Sequence, residues 1–237
     1  MLYRLLKVVL LGPLLRVLFR PRTQGRHNIP PEGPAILAAN HLSFADTLLM
    51  PLMVPRRPVI FIGKAEYFTG RGLKGRLVAA FFRAVGTIPV DRTSGRGALA
   101  ALHTGQRVLE EGHLLGIFPE GTRSPDGRLY RGHTGVARLA LDANAPVVPC
   151  ALVNTDKIKP PSGKIIPRLT RVEVRFGEPL DFSRYAGMES NQAVLRAVTA
   201  EIMYTLMQLS GQDYVDTYAT KVKTDPEQPD TRDAEAA

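Results

Sequence analysis

An α/β fold, with a largely parallel central sheet flanked by helices, follows from three features of the chain. Short apolar runs of strand length recur at residues 36–39, 59–63 and 114–118, and each stops at a polar loop. Between them lie segments with apolar residues at helical spacing: Ala45 through Leu48, Leu49 and Met53, then 73–85 and 97–111. Strands that alternate with helices favour a parallel sheet. The third feature is size: 237 residues, 44% hydrophobic and without an internal repeat, suit one core of moderate size.

The elements follow in order. Residues 1–20 are strongly apolar, with Arg4, Lys7, Arg16 and Arg20 as their charges and no acid. The uncharged run 8–15 falls short of the roughly 20 residues a spanning helix needs. Gly12-Pro13 also breaks it, because proline removes a helical donor. No small-x-small cleavage pattern follows. Residues 1–24 therefore read as a kinked helical segment in a membrane interface, its bases reaching for headgroups. Packing of that helix on the domain is the alternative. Residues 21–34, rich in proline, arginine and glycine, read as a linker. Residues 86–92 form a short strand that delivers Asp91 and Arg92 into a loop. Gly112 ends helix 97–111. Residues 119–124 are a loop before a turn at Pro125-Asp126-Gly127. A helix at 133–144 and a strand at 145–153 come next, with Pro149 at a strand end or bulge. Residues 155–167 read as an irregular loop, 171–176 as an amphipathic strand and 191–209 as a helix. The folded domain is expected over 25–219, followed by a disordered acidic tail at 220–237.

Composition narrows the chemistry. The single cysteine, Cys150, allows no internal disulfide and points to a reducing compartment. Five scattered histidines lack metal-ligand spacing, so neither a metal nor another cofactor is expected. Net charge is +9, and removing the −4 of residues 224–237 leaves a body of +13. Such a body suits a polyanionic partner: nucleic acid, anionic lipid or a phosphorylated small molecule. Gly70-Arg71-Gly72-Leu73-Lys74-Gly75 matches a dinucleotide-binding pattern in form, but it does not directly follow its strand.

The chemistry-bearing residues gather after successive strands. The stretch Asn40-His41-Leu42-Ser43-Phe44-Ala45-Asp46 is a strand end, a polar loop and a helix start. Ser43 reads as the helix N-cap, and Asp46 falls in the first turn. His41 can fold back on that carboxylate, which would hold one imidazole nitrogen and leave the other to take a proton. Ordinary roles, a loop histidine and a first-turn acid, stand beside that reading. Lys64, Arg92, Glu120 and Arg123 follow later strands. In a parallel sheet these ends share one edge, so a base, its orienting acid and three cations can converge. That set suits a phosphate-bearing substrate with a group to be deprotonated.

The segment from Asn40 to Asp46 resembles the first block of the glycerolipid acyltransferases, and most closely that of the 1-acylglycerol-3-phosphate acyltransferases. Gly86-Thr87-Ile88-Pro89-Val90-Asp91-Arg92 resembles the second block, Phe118-Pro119-Glu120-Gly121-Thr122-Arg123-Ser124 the third, and Val147-Val148-Pro149 the fourth. The likeness runs from about residue 28 to 180 and departs at Pro89, where a bulky apolar residue is frequent, and at Asn154, where glycine is common. It implies transfer of a fatty acyl group from an acyl thioester, of CoA or acyl carrier protein, to the hydroxyl of a lysophosphatidate. His41 would be the base and Asp46 its support. Lys64, Arg92 and Arg123 would hold phosphate, Glu120 would orient these cations, and Gly121 would let backbone approach the ligand. Thr122 belongs to the same substrate-binding block. Anionic membrane lipid is the expected surface, on its cytoplasmic face, where acyl thioesters are found.

Rival readings remain open at this level. A serine hydrolase would use Ser43 with His41 and Asp46, but no G-x-S-x-G elbow occurs. A nucleic-acid partner is not expected: tryptophan is absent, aromatics are 7%, and no basic–aromatic motif appears. An acyltransferase for another lipid acceptor is the third alternative.

Overall fold

The computed structural model describes residues 11–55, 57–70, 72–84, 86–90, 97–158 and 171–224. Helix α1 (Leu11–Phe19) leads into strand β1 (Arg22–Gln24). Then come β2 (Ala35–Ala39), α2 (Asp46–Met53), β3 (Val59–Lys64), α3 (Gly72–Ala84), β4 (Thr87–Val90), α4 (Gly97–Glu110) and β5 (Leu114–Ile117). The chain continues with β6 (Leu129–Tyr130), α5 (Gly135–Asp142), β7 (Val147–Val153), β8 (Glu173–Phe176), α6 (Gln192–Ser210), β9 (Tyr214–Val215) and α7 (Ala219–Thr224).

Seven of the described strands form one sheet in the order β1-β8-β7-β2-β5-β3-β4. From β7 to β4 every pairing is parallel, whereas β8 runs antiparallel to β7 and pairs parallel with β1. β2 lies at the centre, and all five of its residues are buried. Its alternation assigns the faces, because successive strand side chains point to opposite sides. Ile36 and Ala38 join Val108, Val136, Leu139, Leu195 and Ile202 of α4, α5 and α6 in one core cluster. Ala35, Leu37 and Ala39 join Met50 and Met53 of α2 in another. A strand covered on both faces reads as a continuous apolar run, as residues 35–39 do.

The predicted class therefore holds, with four corrections of detail. Residues 22–24 are an edge strand beside β8, not linker; three residues carry too little pattern to show a partner 150 positions away. Pro149 lies inside β7, opposite Ala38 of β2. Its carbonyl accepts from Gly177, so its missing N–H faces the side where β8 has just ended and costs no ladder bond. Ser43 is not the cap: the helix begins at Asp46 after Ala45, and no side chain caps it. Residues 220–224 of the expected tail are helical, as part of α7. Asp91, Arg92 and the readings for residues 1–10, 159–170 and 225–237 lie outside the described residues. Within α1, Phe19 is buried against Leu49, Ile158 and Val172, while Leu14 and Val17 are exposed. Among the described residues no helix is long and apolar enough to cross a membrane.

Candidate active site

β2 ends at Asn40, a buried amide that behaves like one more rung of the sheet. Its Oδ1 accepts from the Leu152 N–H at 2.7 Å and its Nδ2 donates to the Leu152 carbonyl at 2.9 Å. The backbone is thereby released from the sheet while the strand end stays anchored. The turn that follows is closed by Asp46. A single oxygen, Oδ2, accepts from the backbone N–H groups of Leu42 and Ser43, both at 2.7 Å, and contacts His41 Nδ1 at 2.9 Å. An oxygen that already receives two backbone N–H groups is the accepting side of its contact with the imidazole as well. Because a carboxylate only accepts, the proton sits on Nδ1, and Nε2 is the nitrogen able to take another. The His41 side chain is 15% exposed and that of Asp46 is 0% exposed, so the imidazole can be reached while the carboxyl is sealed.

A second loop, from the end of β5, closes on the same histidine. The Phe118 ring stacks on the imidazole at 4.0 Å and 15°, with Phe61 behind it at 5.8 Å. Glu120 is fully buried. Its Oε1 accepts from the His41 N–H at 3.1 Å and its Oε2 from the Tyr130 N–H at 2.9 Å. The His41 carbonyl accepts from the Ser124 N–H at 2.7 Å. Ring, N–H and carbonyl of one residue are thus all set by residues 118–124. Burial pushes the Glu120 carboxyl up to about 7, against the opposing effect of its two backbone donors. Gly121 has φ 72, and a Cβ there would lie 3.0 Å from the His133 ring, so both backbone and space require glycine.

These contacts show what else two of these residues do. Glu120 holds the backbone N–H groups of His41 and Tyr130. Gly121 meets the demands of its own φ and of His133. Arg123 is exposed on this loop and Thr122 partly so. Lys64 ends β3, two strands from β2 on the same parallel edge, while Arg92 lies outside the described residues. His41, Asp46, Glu120, Gly121, Thr122 and Arg123 are therefore gathered at one sheet edge. Ser43 is buried, and its Oγ accepts from the Ala45 N–H at 3.3 Å. Cys150 is buried in β7, which pushes its thiol up and makes it a poor nucleophile.

The sequence reading missed a strap. After α6 the chain runs back over the second loop: Gln212 Nε2 donates to the Gly127 carbonyl at 2.6 Å, and Gln212 Oε1 accepts from Asn40 Nδ2 at 2.6 Å. β9 pairs with β6, and Tyr218 stacks on His133 at 4.5 Å. Lys223 of α7 donates to Thr122 Oγ1 at 2.8 Å and to the Arg123 carbonyl. Gly211 at the end of α6 was the one sequence signal here, and it announces a turn without its destination.

A buried carboxyl, a reachable imidazole and a phenylalanine platform meet at a parallel sheet edge of an α/β fold. Residues 20–153, more than half of the chain, match the family model described as Acyltransferase. The chain belongs to the acyltransferase family. The 1-acyl-sn-glycerol-3-phosphate acyltransferase of Bacillus subtilis is 26% identical over 192 residues, which are 81% of this chain and 88% of that protein. The chloroplastic 1-acyl-sn-glycerol-3-phosphate acyltransferase LPAT1 of Arabidopsis thaliana is 30% identical over 186 residues, 78% of this chain and about half (49%) of the plant protein. The crystal structure of the 1-acyl-sn-glycerophosphate acyltransferase PlsC of Thermotoga maritima superposes with a TM-score of 0.58 at 22% identity, covering 87% of this chain and 82% of that one. That likeness supports the fold.

Proposed function

We propose that the protein acylates the sn-2 hydroxyl of 1-acylglycerol 3-phosphate with a fatty acyl thioester, giving phosphatidic acid and a free thiol. The 2.9 Å contact between His41 Nδ1 and Asp46 Oδ2 carries this reading. His41 Nε2 takes the hydroxyl proton as the oxygen attacks the thioester carbonyl. The tetrahedral intermediate collapses with loss of the thiolate, which takes the proton back from the imidazolium. Asp46 stabilises that imidazolium, and the step needs no covalent enzyme intermediate. A base so placed contributes about 10²–10⁴-fold. Lys64, Arg92 and Arg123 hold the acceptor phosphate, arginine bidentately.

The exposed Leu14 and Val17 of α1, beside Arg16 and Arg20, support docking on anionic membrane at the cytoplasmic face. Exposed Phe44, in the same loop as His41, puts further apolar surface near the base and meets Phe82 of α3 at 6.1 Å. The test is product analysis with a panel of lysolipids presented in anionic vesicles, with acyl-CoA or acyl carrier protein thioester. Phosphatidic acid is the expected product, and acylation of a different lysolipid in preference would assign another acceptor. A form lacking residues 1–20 should lose activity on vesicles and keep it on a short-chain soluble acceptor; equal loss on both would remove the docking role.

A further inference from the structure

The family match ends at residue 153, yet α7 puts a cation on the third-block loop. Lys223 Nζ donates to Thr122 Oγ1 at 2.8 Å and to the Arg123 carbonyl. An ammonium has three N–H donors, and both of these acceptors are neutral. Among the described residues no carboxylate forms an ion pair with it, so its charge is held in place without being neutralised. The Glu120 carboxylate lies near enough to be felt, while its hydrogen bonds go to the His41 and Tyr130 N–H groups. Burial, and then the like charge of Arg123, lower the Lys223 pKa. Lys223 is held on the backbone of the residue that carries the Arg123 guanidinium, so two cations share one loop, and like charges so gathered gain most when an anion binds beside them.

The strap that carries Lys223 is anchored on the domain. Ala219 is fully buried, Tyr218 is stacked on His133, and the Arg131 N–H donates to the Thr217 carbonyl at 3.0 Å. Gln212 is pinned to both Asn40 and Gly127. Lys223 is therefore delivered to the loop by a strap anchored at four earlier points.

We propose that Lys223 is a substrate-binding residue, which completes with Arg123 a site for a phosphate monoester and sets the preference for a phosphorylated acceptor. The proposal rests on the function given above and extends it beyond the family-matched segment. The acyl donor of the CoA type also carries phosphate, so the experiment separates the two sources.

Lys223→Gln keeps a hydrogen-bond donor for Thr122 and Arg123 but removes the charge, Lys223→Met removes both, and Lys223→Arg keeps both. Apparent KM is measured for lysophosphatidate and for the phosphate-free monoacylglycerol, each with acyl-CoA and with a phosphate-free acyl thioester. The glutamine and methionine variants should raise KM for lysophosphatidate about tenfold or more, leave kcat and the monoacylglycerol KM unchanged with either donor, and be rescued by arginine. Equal effects on both acceptors would mean a structural role, and an effect confined to acyl-CoA would place the donor phosphate there; either overturns the proposal. Equilibrium binding of short-chain lysophosphatidate gives a readout independent of turnover. Charge-dependent binding without acyl transfer would overturn the functional reading and leave this site standing, whereas transfer with unchanged binding in Lys223→Gln would do the reverse.

Discussion

Two loops meet at His41, and they are built in opposite ways. The first, from Asn40 to Asp46, is closed from within, although residues 118–124 also grip His41. Its central acceptor is five residues from the histidine, and Asp46 Oδ2 alone gathers the imidazole and two backbone N–H groups. The second, from Phe118 to Gly127, is held from a distance. Glu120 reaches the first loop, Gln212 and Lys223 come from beyond α6, and the Gly121 turn fits against His133. A local device takes its central contacts from its own turn. A distributed one is present only when the whole sheet and strap are in place, so it can position a reacting group against several elements at once.

Breaking the local loop should have the largest effect. His41→Ala and Asp46→Ala are each expected to lower kcat by about 10²–10⁴-fold, with a double mutant little worse than either. Asp46→Ala should also cost stability, about 1–3 kcal/mol for each buried N–H left unpaired at Leu42 and Ser43. Steady-state kinetics and urea denaturation measure the two separately; near-normal turnover in either single variant would dissolve the dyad.

Next comes the contact that joins the loops. In Glu120→Gln one amide NH₂ must face a backbone N–H, so His41 or Tyr130 loses its acceptor. We expect kcat to fall by about 10²-fold, the scale of a small misplacement of a catalytic group. The pH dependence supplies an independent check. A carboxyl whose folded pKa, here about 7, lies above its unfolded value near 4.5 is protonated longer in the folded state, so it adds stability below about 4.5 that is lost as pH rises to about 7. The stability of wild type relative to Glu120→Gln should therefore decline between pH 4.5 and 7 and level off above it. A difference that is flat or rises across that window would contradict the buried-carboxyl account.

Cutting the strap should be milder. Gln212→Ala leaves the Gly127 carbonyl without this donor, while Asn40 keeps both bonds to Leu152. The expected cost is about 1 kcal/mol of stability with a several-fold loss of kcat. An effect as large as that of Asp46→Ala would show that the distributed loop, not the local one, limits the site. The smallest effect belongs to Ser43→Ala, which removes one 3.3 Å bond to Ala45 and should leave acyl transfer nearly intact. Complete loss of activity there would instead revive a serine nucleophile.

How much of this was legible tracks the same contrast. The buried strand 35–39, the histidine after it and the acid in the first helical turn could be read because each is a pattern over a few residues. Asn154 marks the limit of such reading: the sequence offers an asparagine, and only the backbone, at φ 65, shows that it adopts the left-handed conformation glycine favours. Glu120 was visible as a loop acid, and its position beside Arg123 suggested a partner for cations. Its full burial and two backbone donors, one 79 residues earlier, could not be inferred from neighbours.

The sequence by itself determined the α/β class, the central strand and the His41–Asp46 pair, because hydrophobic periodicity and first-turn geometry act within one or two turns of chain. Tertiary structure alone decided that Pro149 lies inside a strand, that residues 22–24 form a sheet edge and that Glu120 holds a histidine. It also decided that Lys223 reaches a loop a hundred positions away. Those outcomes depend on which segments the folded sheet brings together, and contacts at such separations are fixed by packing and burial, which no local pattern encodes.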